Sequence, residues 1–227
     1  MEKSEILKKI NKLASEIGRD VNLMEVCGTH TQAISRSGIR KVLPENVHLI
    51  TGPGCPVCVT AQRDIDAISI LALAGVSVAT YGDLLRVPGQ FGSLDKARER
   101  GAKVFDVYST EDALKLKEKH PDLVFFGLGF ETTTPMTAWA IKNGLTVYST
   151  HKRFLPAMDA LLKSGEVRID GFIDPGHVSA IIGEKPYAKL DASQVITGFT
   201  EEDVLRGILM LLGQIKNGEK KVENEYT

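Results

Sequence analysis

The sequence is poor in cysteine, with 3 among 227 residues, and it holds a single tryptophan. Three thiols are too few, and odd in number, for a disulfide framework, which excludes a disulfide-stapled secreted scaffold. In a reducing compartment they remain as free thiols, metal ligands or redox groups. An excess of either charge is also missing: 28 Lys+Arg stand against 29 Asp+Glu, a formal charge of −1. That balance gives no general attraction to nucleic acid or to an anionic membrane surface. Long apolar runs are lacking as well. The longest, Ile68 to Ala79, is broken by Ser69, Gly75 and Ser77 and is too short to span a bilayer. The opening residues Met1-Glu-Lys-Ser-Glu5 lack the apolar stretch of a secretory signal. The expectation is a cytoplasmic protein without nucleic-acid or membrane partners.

What is present reads as an ordinary globular chain, 43% hydrophobic and 25% charged. Ile6, Leu7, Ile10, Leu13, Ala14 and Ile17 recur at the spacing of one helical face. Short apolar runs follow, and these predict strands at Leu23–Val26, Val47–Ile50, Val76–Thr80, Lys103–Val107, Leu123–Phe126, Leu145–Tyr148, Gly171–Ile173 and Gln194–Thr197. Helical patterns lie between them at Ala61–Ala74, Asp112–Lys119, Pro135–Lys142 and Pro156–Lys163, with a last one at Glu201–Leu212. Continuous apolar strands alternating with helices imply an α/β fold with a mostly parallel sheet covered on both faces. Two small open sheets with a cleft between them are expected, and a single βα barrel is the rival. The expected division is 1–118, 119–198, and a terminal helix with polar tail over 199–227 that packs back on the first part. That tail, Lys216–Thr227, shows no recognisable packing partner.

The unusual residues fall just past predicted strand ends: Cys27, Cys55, Tyr81-Gly82-Asp83, Glu131, His151 and Asp174-Pro-Gly-His177. In open parallel sheets and barrels alike, ligands bind at that edge. One loop reads Glu25-Val26-Cys27-Gly28-Thr29-His30, the next Thr51-Gly52-Pro53-Gly54-Cys55-Pro56-Val57-Cys58. A Cys-x-x-Cys pair opening a helix favours a thiolate and can cycle between dithiol and disulfide or hold a soft metal. With Cys27 and His30 added, the donor set matches a closed Cys₃His zinc site. Thr29 is placed either in the site or as the cap of a helix starting near Thr31. Gly127-Leu-Gly129-Phe-Glu131-Thr lacks the third glycine of a dinucleotide fingerprint, and no P-loop pattern occurs. Glu131 is a cleft residue or a helix-start acid, and His177 a cleft residue or a turn residue. His151-Lys152-Arg153 is a small positive cluster.

Cys27-Gly-Thr-His30, Gly52-Pro-Gly-Cys-Pro-Val-Cys58, Gly129-Phe-Glu-Thr-Thr133 and Pro175-Gly-His-Val-Ser179 together resemble the HypD family of hydrogenase maturation factors. Their order and spacing match as well, and the similarity runs through essentially the whole chain. The resemblance implies a scaffold for assembling the Fe(CN)₂CO group of [NiFe]-hydrogenases, with two α/β domains around a cleft. It implies two partners, a HypC-like chaperone that shares the iron and a HypE-like donor that supplies cyanide from a thiocyanate-bearing cysteine. By motif position Cys27 is implied as the iron ligand, Cys55 and Cys58 as a redox-active pair that also lies at the metal, and His30 as a supporting residue. The family also carries a [4Fe-4S] cluster on further C-terminal cysteines. All three cysteines here are taken by the two motifs, so its ligands are missing from this chain, which reads as a fragment or a short relative. Gly198-Phe-Thr-Glu-Glu-Asp203 also departs from the family's more usual Gly-Phe-Glu-Pro. Two other functions fit the thiols: a zinc-binding structural module and a dithiol oxidoreductase.

Overall fold

The computed structural model describes residues 2–226. In chain order the main elements are α1 (Lys3–Ile17), β1 (Val21–Glu25), α2 (Gly28–Ser37), β2 (Val47–Thr51), α3 (Gln62–Leu73), β3 (Val78–Tyr81), α4 (Leu94–Glu99), β4 (Val104–Val107) and α5 (Thr110–Lys119). They continue with β5 (Val124–Gly127), α6 (Thr134–Lys142), β6 (Thr146–Ser149), α7 (Phe154–Ser164), β7 (Gly171–Pro175), α8 (Gly176–Ile182), β8 (Ser193–Thr197), α9 (Glu201–Asn217) and β9 (Val222–Asn224). All eight predicted strands form, and every pairing between named strands is parallel. The strands make two open sheets, β2-β1-β7-β8-β9 and β4-β3-β5-β6. The fold is α/β, and no closed barrel is present among the described residues.

The chain divides into two compact units, Met1–Cys55 with Arg153–Thr227, and Pro56–Lys152. A reading along the sequence puts boundaries at 118 and 198 instead. The difference arises because β1 takes β2 on one side and β7 on the other, so the first unit is built from both ends of the chain. Periodicity marks strands but carries no information about which distant strand becomes a neighbour.

In the first unit, α1 and α9 cover one face of the five-stranded sheet. Ile6, Ile10 and Ala14 of α1 are fully buried with Val204, Leu205, Ile208, Leu211 and Leu212 of α9 and with Leu23, Ile173 and Val195 of the strands. Each such Val, Leu or Ile side chain contributes about 1.5–3 kcal/mol, which holds the last helix against the first. Helix α9 starts in a capping box formed by Thr200 and Asp203 and stops at Gly218, whose φ of 68° suits glycine. The tail is less free than its polar composition suggests: β9 adds a fifth strand beside β8. In the second unit, Ile68, Val78, Leu84, Val104 and Phe126 form one core cluster, and Ala79, Val107, Leu123 and Phe125 belong to another.

Candidate functional site

The C-terminal edge of the five-stranded sheet carries two of the three cysteines. Strand β1 ends at Glu25, and Cys27 serves as the N-cap of α2, with φ −149° and ψ 129°. Its carbonyl accepts the Thr31 N–H at 3.1 Å. The helix therefore begins at Gly28, and Thr29 lies in its first turn instead of capping it. Strand β2 runs out through Thr51 into Gly52-Pro-Gly54-Cys55. The Gly52 N–H donates to the Glu25 carbonyl at 2.7 Å. A Cβ on Gly54 would stand 2.1 Å from the Val26 carbonyl carbon and 2.2 Å from the Cys27 nitrogen. Gly54 thus lies directly on the Val26–Cys27 peptide, a contact that no side-chain-bearing residue permits. Cys27 and Cys55 flank that contact, and both are half-buried.

Cys58 is exposed and falls in the second unit. Cys55-Pro-Val-Cys58 does not open a helix as the spacing predicts. It forms a turn in which the Thr60 N–H reaches the Val57 carbonyl at 3.2 Å and the Thr60 hydroxyl the Pro56 carbonyl at 2.9 Å. Helix α3 starts only at Gln62, after Ala61. Proline at 56 and the Thr60 hydroxyl stabilise the turn and delay the helix.

Glu25 is fully buried at the end of β1. One carboxylate oxygen accepts the Cys27 N–H at 3.2 Å and the other the Thr31 hydroxyl at 2.6 Å. The Thr51 side chain is a further hydrogen-bond partner. Burial pushes the Glu25 carboxyl upward, and its hydrogen bonds oppose that shift without cancelling it.

His30 is also fully buried. Its Nε2 lies 2.9 Å from the Gly198 carbonyl and 3.0 Å from the Thr197 hydroxyl. A carbonyl only accepts, so Nε2 carries the hydrogen, and the neutral ring leaves Nδ1 as a bare acceptor with no partner among the described residues. Burial lowers its pKa to about 4, and the hydrogen bond to Gly198 works the other way. The imidazole stacks on the Phe199 ring at 4.6 Å between centroids, and exposed His177 lies 4.1 Å from the Phe199 ring. Tyr226 meets Phe199 and His177 edge-on, and a Cβ on Gly176 would stand 2.3 Å from the Tyr226 ring.

Asp174 sits on β7, in register with Ile196 of β8. It is fully buried, and neither carboxyl oxygen has a partner among the described residues. Burial alone pushes its pKa well above the usual carboxylate value. Glu131 belongs to the second unit, in the turn between β5 and α6. It precedes the helix by three residues, so it is not a first-turn acid. Gly129 in the same turn has φ +150°, and a Cβ there would stand 1.6 Å from Thr133 Oγ1. His151 lies between Ser149 Oγ, 3.0 Å from Nδ1, and Thr137 Oγ1, 3.2 Å from Nε2. Burial lowers its pKa.

Among the described residues no group of three or more His, Cys, Asp or Glu is arranged to hold a metal ion. His30 places Nε2 on the Gly198 carbonyl and stacks on Phe199, and no Cys₃His set is assembled among the described residues. Glu25, Thr197, Phe199 and Tyr226 are site neighbours that sequence patterns do not single out. Only the position of Glu25, an acid closing an apolar strand two residues before a cysteine, offered a signal.

A model of the HypD family, described as the hydrogenase formation hypA family, matches residues 2–227. The chain belongs to the HypD family. Hydrogenase maturation factor HypD of Rhizobium leguminosarum bv. viciae is 43% identical over 98% of this chain and 63% of its own length. HypD of Cupriavidus necator is 45% identical over 92% of this chain and 61% of its own, and HypD of Escherichia coli 40% over 98% and 64%. This HypD-family chain therefore spans somewhat less than two thirds of the length of these relatives. No helix among the described residues is long and apolar enough to cross a membrane.

Proposed function

We propose that this chain is the thiol-bearing part of a hydrogenase-maturation scaffold that holds iron while the Fe(CN)₂CO group is assembled. Iron is cargo in this reading, and Cys27 is its anchoring thiolate. Soft thiolates suit low-spin iron that carries strong-field ligands. Cys55 and Cys58 act as the dithiol and as further thiol ligands of the cargo. A HypC-like chaperone completes the iron site, and a HypE-like protein donates cyanide. Two thiols balance the transfer of one cyanide from a thiocyanate: the dithiol becomes a disulfide, the donor sulfur leaves as a thiol, and cyanide departs with the second proton.

The observation that carries this reading is the seating of Gly54 on the Val26–Cys27 peptide, with a cysteine at each flank. Membership of a family named for hydrogenase maturation supports it. The test is anaerobic co-purification of the chain with a HypC-like chaperone, followed by metal analysis and infrared spectroscopy. Cys27→Ala should lose the iron together with its CN and CO bands. Undiminished iron in that variant overturns the assignment, as does stoichiometric zinc without those bands in the unsubstituted chain.

A further inference from the structure

We infer that Glu25 is the positioning residue that fixes how Cys27 is presented and keys the Cys55 loop to it. This deepens the reading of Cys27 as the iron-bearing thiol and rests on that reading for its purpose. The geometry is that of a single node. Its side chain, fully buried, meets the Cys27 N–H, the Thr31 hydroxyl in the first turn of α2, and the Thr51 side chain at the end of β2. Its main-chain carbonyl meets the Gly52 N–H. The roots of both cysteine-bearing loops are thereby tied to one residue.

The chemistry of the node requires a carboxylate. Three donors converge on a side chain with two acceptor oxygens and no donor of its own. A glutamine has one oxygen and an NH₂ group, so it keeps one arm and turns a donor toward another. Burial makes a broken arm costly, because the donor left behind has no water to replace it. Gly54 adds the steric half of the device: Glu25 accepts from the Cys27 amide, and the glycine rests on that same peptide.

The experiment uses the full chain, metal-free and reduced. Amide hydrogen exchange at Cys27 is followed together with alkylation of each cysteine by iodoacetamide. In Glu25→Gln, exchange at Cys27 should quicken about tenfold or more, and alkylation of Cys27 should quicken severalfold while Cys58 keeps its rate. Thr51→Val should quicken Cys27 alkylation to a smaller degree, reporting the link between the loops. A merely structural role would lower the unfolding midpoint and quicken all sites together. Unchanged exchange and alkylation at Cys27 in Glu25→Gln overturn the inference. Should that variant fail to fold, Thr31→Val must show the same selective change at Cys27, and its absence is equally decisive. If Glu25→Gln behaves as expected but Cys27→Ala keeps its iron, the positioning role stands and the iron-anchor reading fails.

Discussion

Acidification should destabilise the native chain through His30, and the size of the effect can be worked out. The imidazole titrates near 6.5 when unfolded and about 4 when folded, so the folded state binds the proton more weakly. Stability from this group is fully present above pH 6.5, is lost as pH falls through the window down to about 4, and then levels off. One pKa unit corresponds to about 1.4 kcal/mol, so the full loss is roughly 3 kcal/mol, with roughly 2 kcal/mol already gone at pH 5. The loss is comparable to an appreciable fraction of a typical domain's stability. Urea denaturation of the unsubstituted chain and of His30→Gln, from pH 7.5 to 4, isolates the contribution. Glutamine keeps a donor for the Gly198 carbonyl but does not titrate. The difference between the two curves removes Glu25 and Asp174, whose raised values act in the opposite sense, and His151, which acts in the same one. A difference that stays flat over this range refutes the reasoning.

Three single substitutions test the packing and the buried acid. Asp174 has a raised folded pKa, so its linkage runs the other way: stability falls as pH rises above the unfolded value of 3.8. Asp174→Asn should therefore gain on the unsubstituted chain steadily as pH increases, and parallel stability curves would contradict this. Gly54→Ala drives a methyl group into the Val26–Cys27 backbone and should cost about 3 kcal/mol. Gly213→Ala, in α9 with nothing within 4 Å, should instead stabilise by about 0.5–1 kcal/mol. Thermal unfolding compares the two, and equal midpoints would refute the steric account.

Much of the fold was legible because parallel strands buried on both faces leave continuous apolar runs, as at Val78-Ala79 and Val124-Phe125-Phe126. Strand order was not, since the pairing of β1 with β7 joins residues such as Met24 and Phe172, far apart in the chain. The last strand escaped because Lys220-Lys221-Val222-Glu223-Asn224 reads as a polar tail, a pattern that suits an edge position. At the site, the thiol loops announced themselves through cysteine, glycine and proline. The burial of His30 did not, for its partners Thr197, Gly198 and Phe199 come from the opposite end of the sequence. Cys-x-x-Cys suggested a helix start, but the turn closed by Thr60 intervenes.

The pairing of β1 with β7 also bears on how the protein comes into being on the ribosome. Strands β1 and β2, with Cys27 and Cys55 at their ends, emerge early, yet β7, β8 and the covering helix α9 arrive only with residues 171–217. Contacts so distant in sequence close slowly and leave apolar strand faces exposed in the meantime. During synthesis the nascent chain therefore displays both thiols before the sheet beneath them can close.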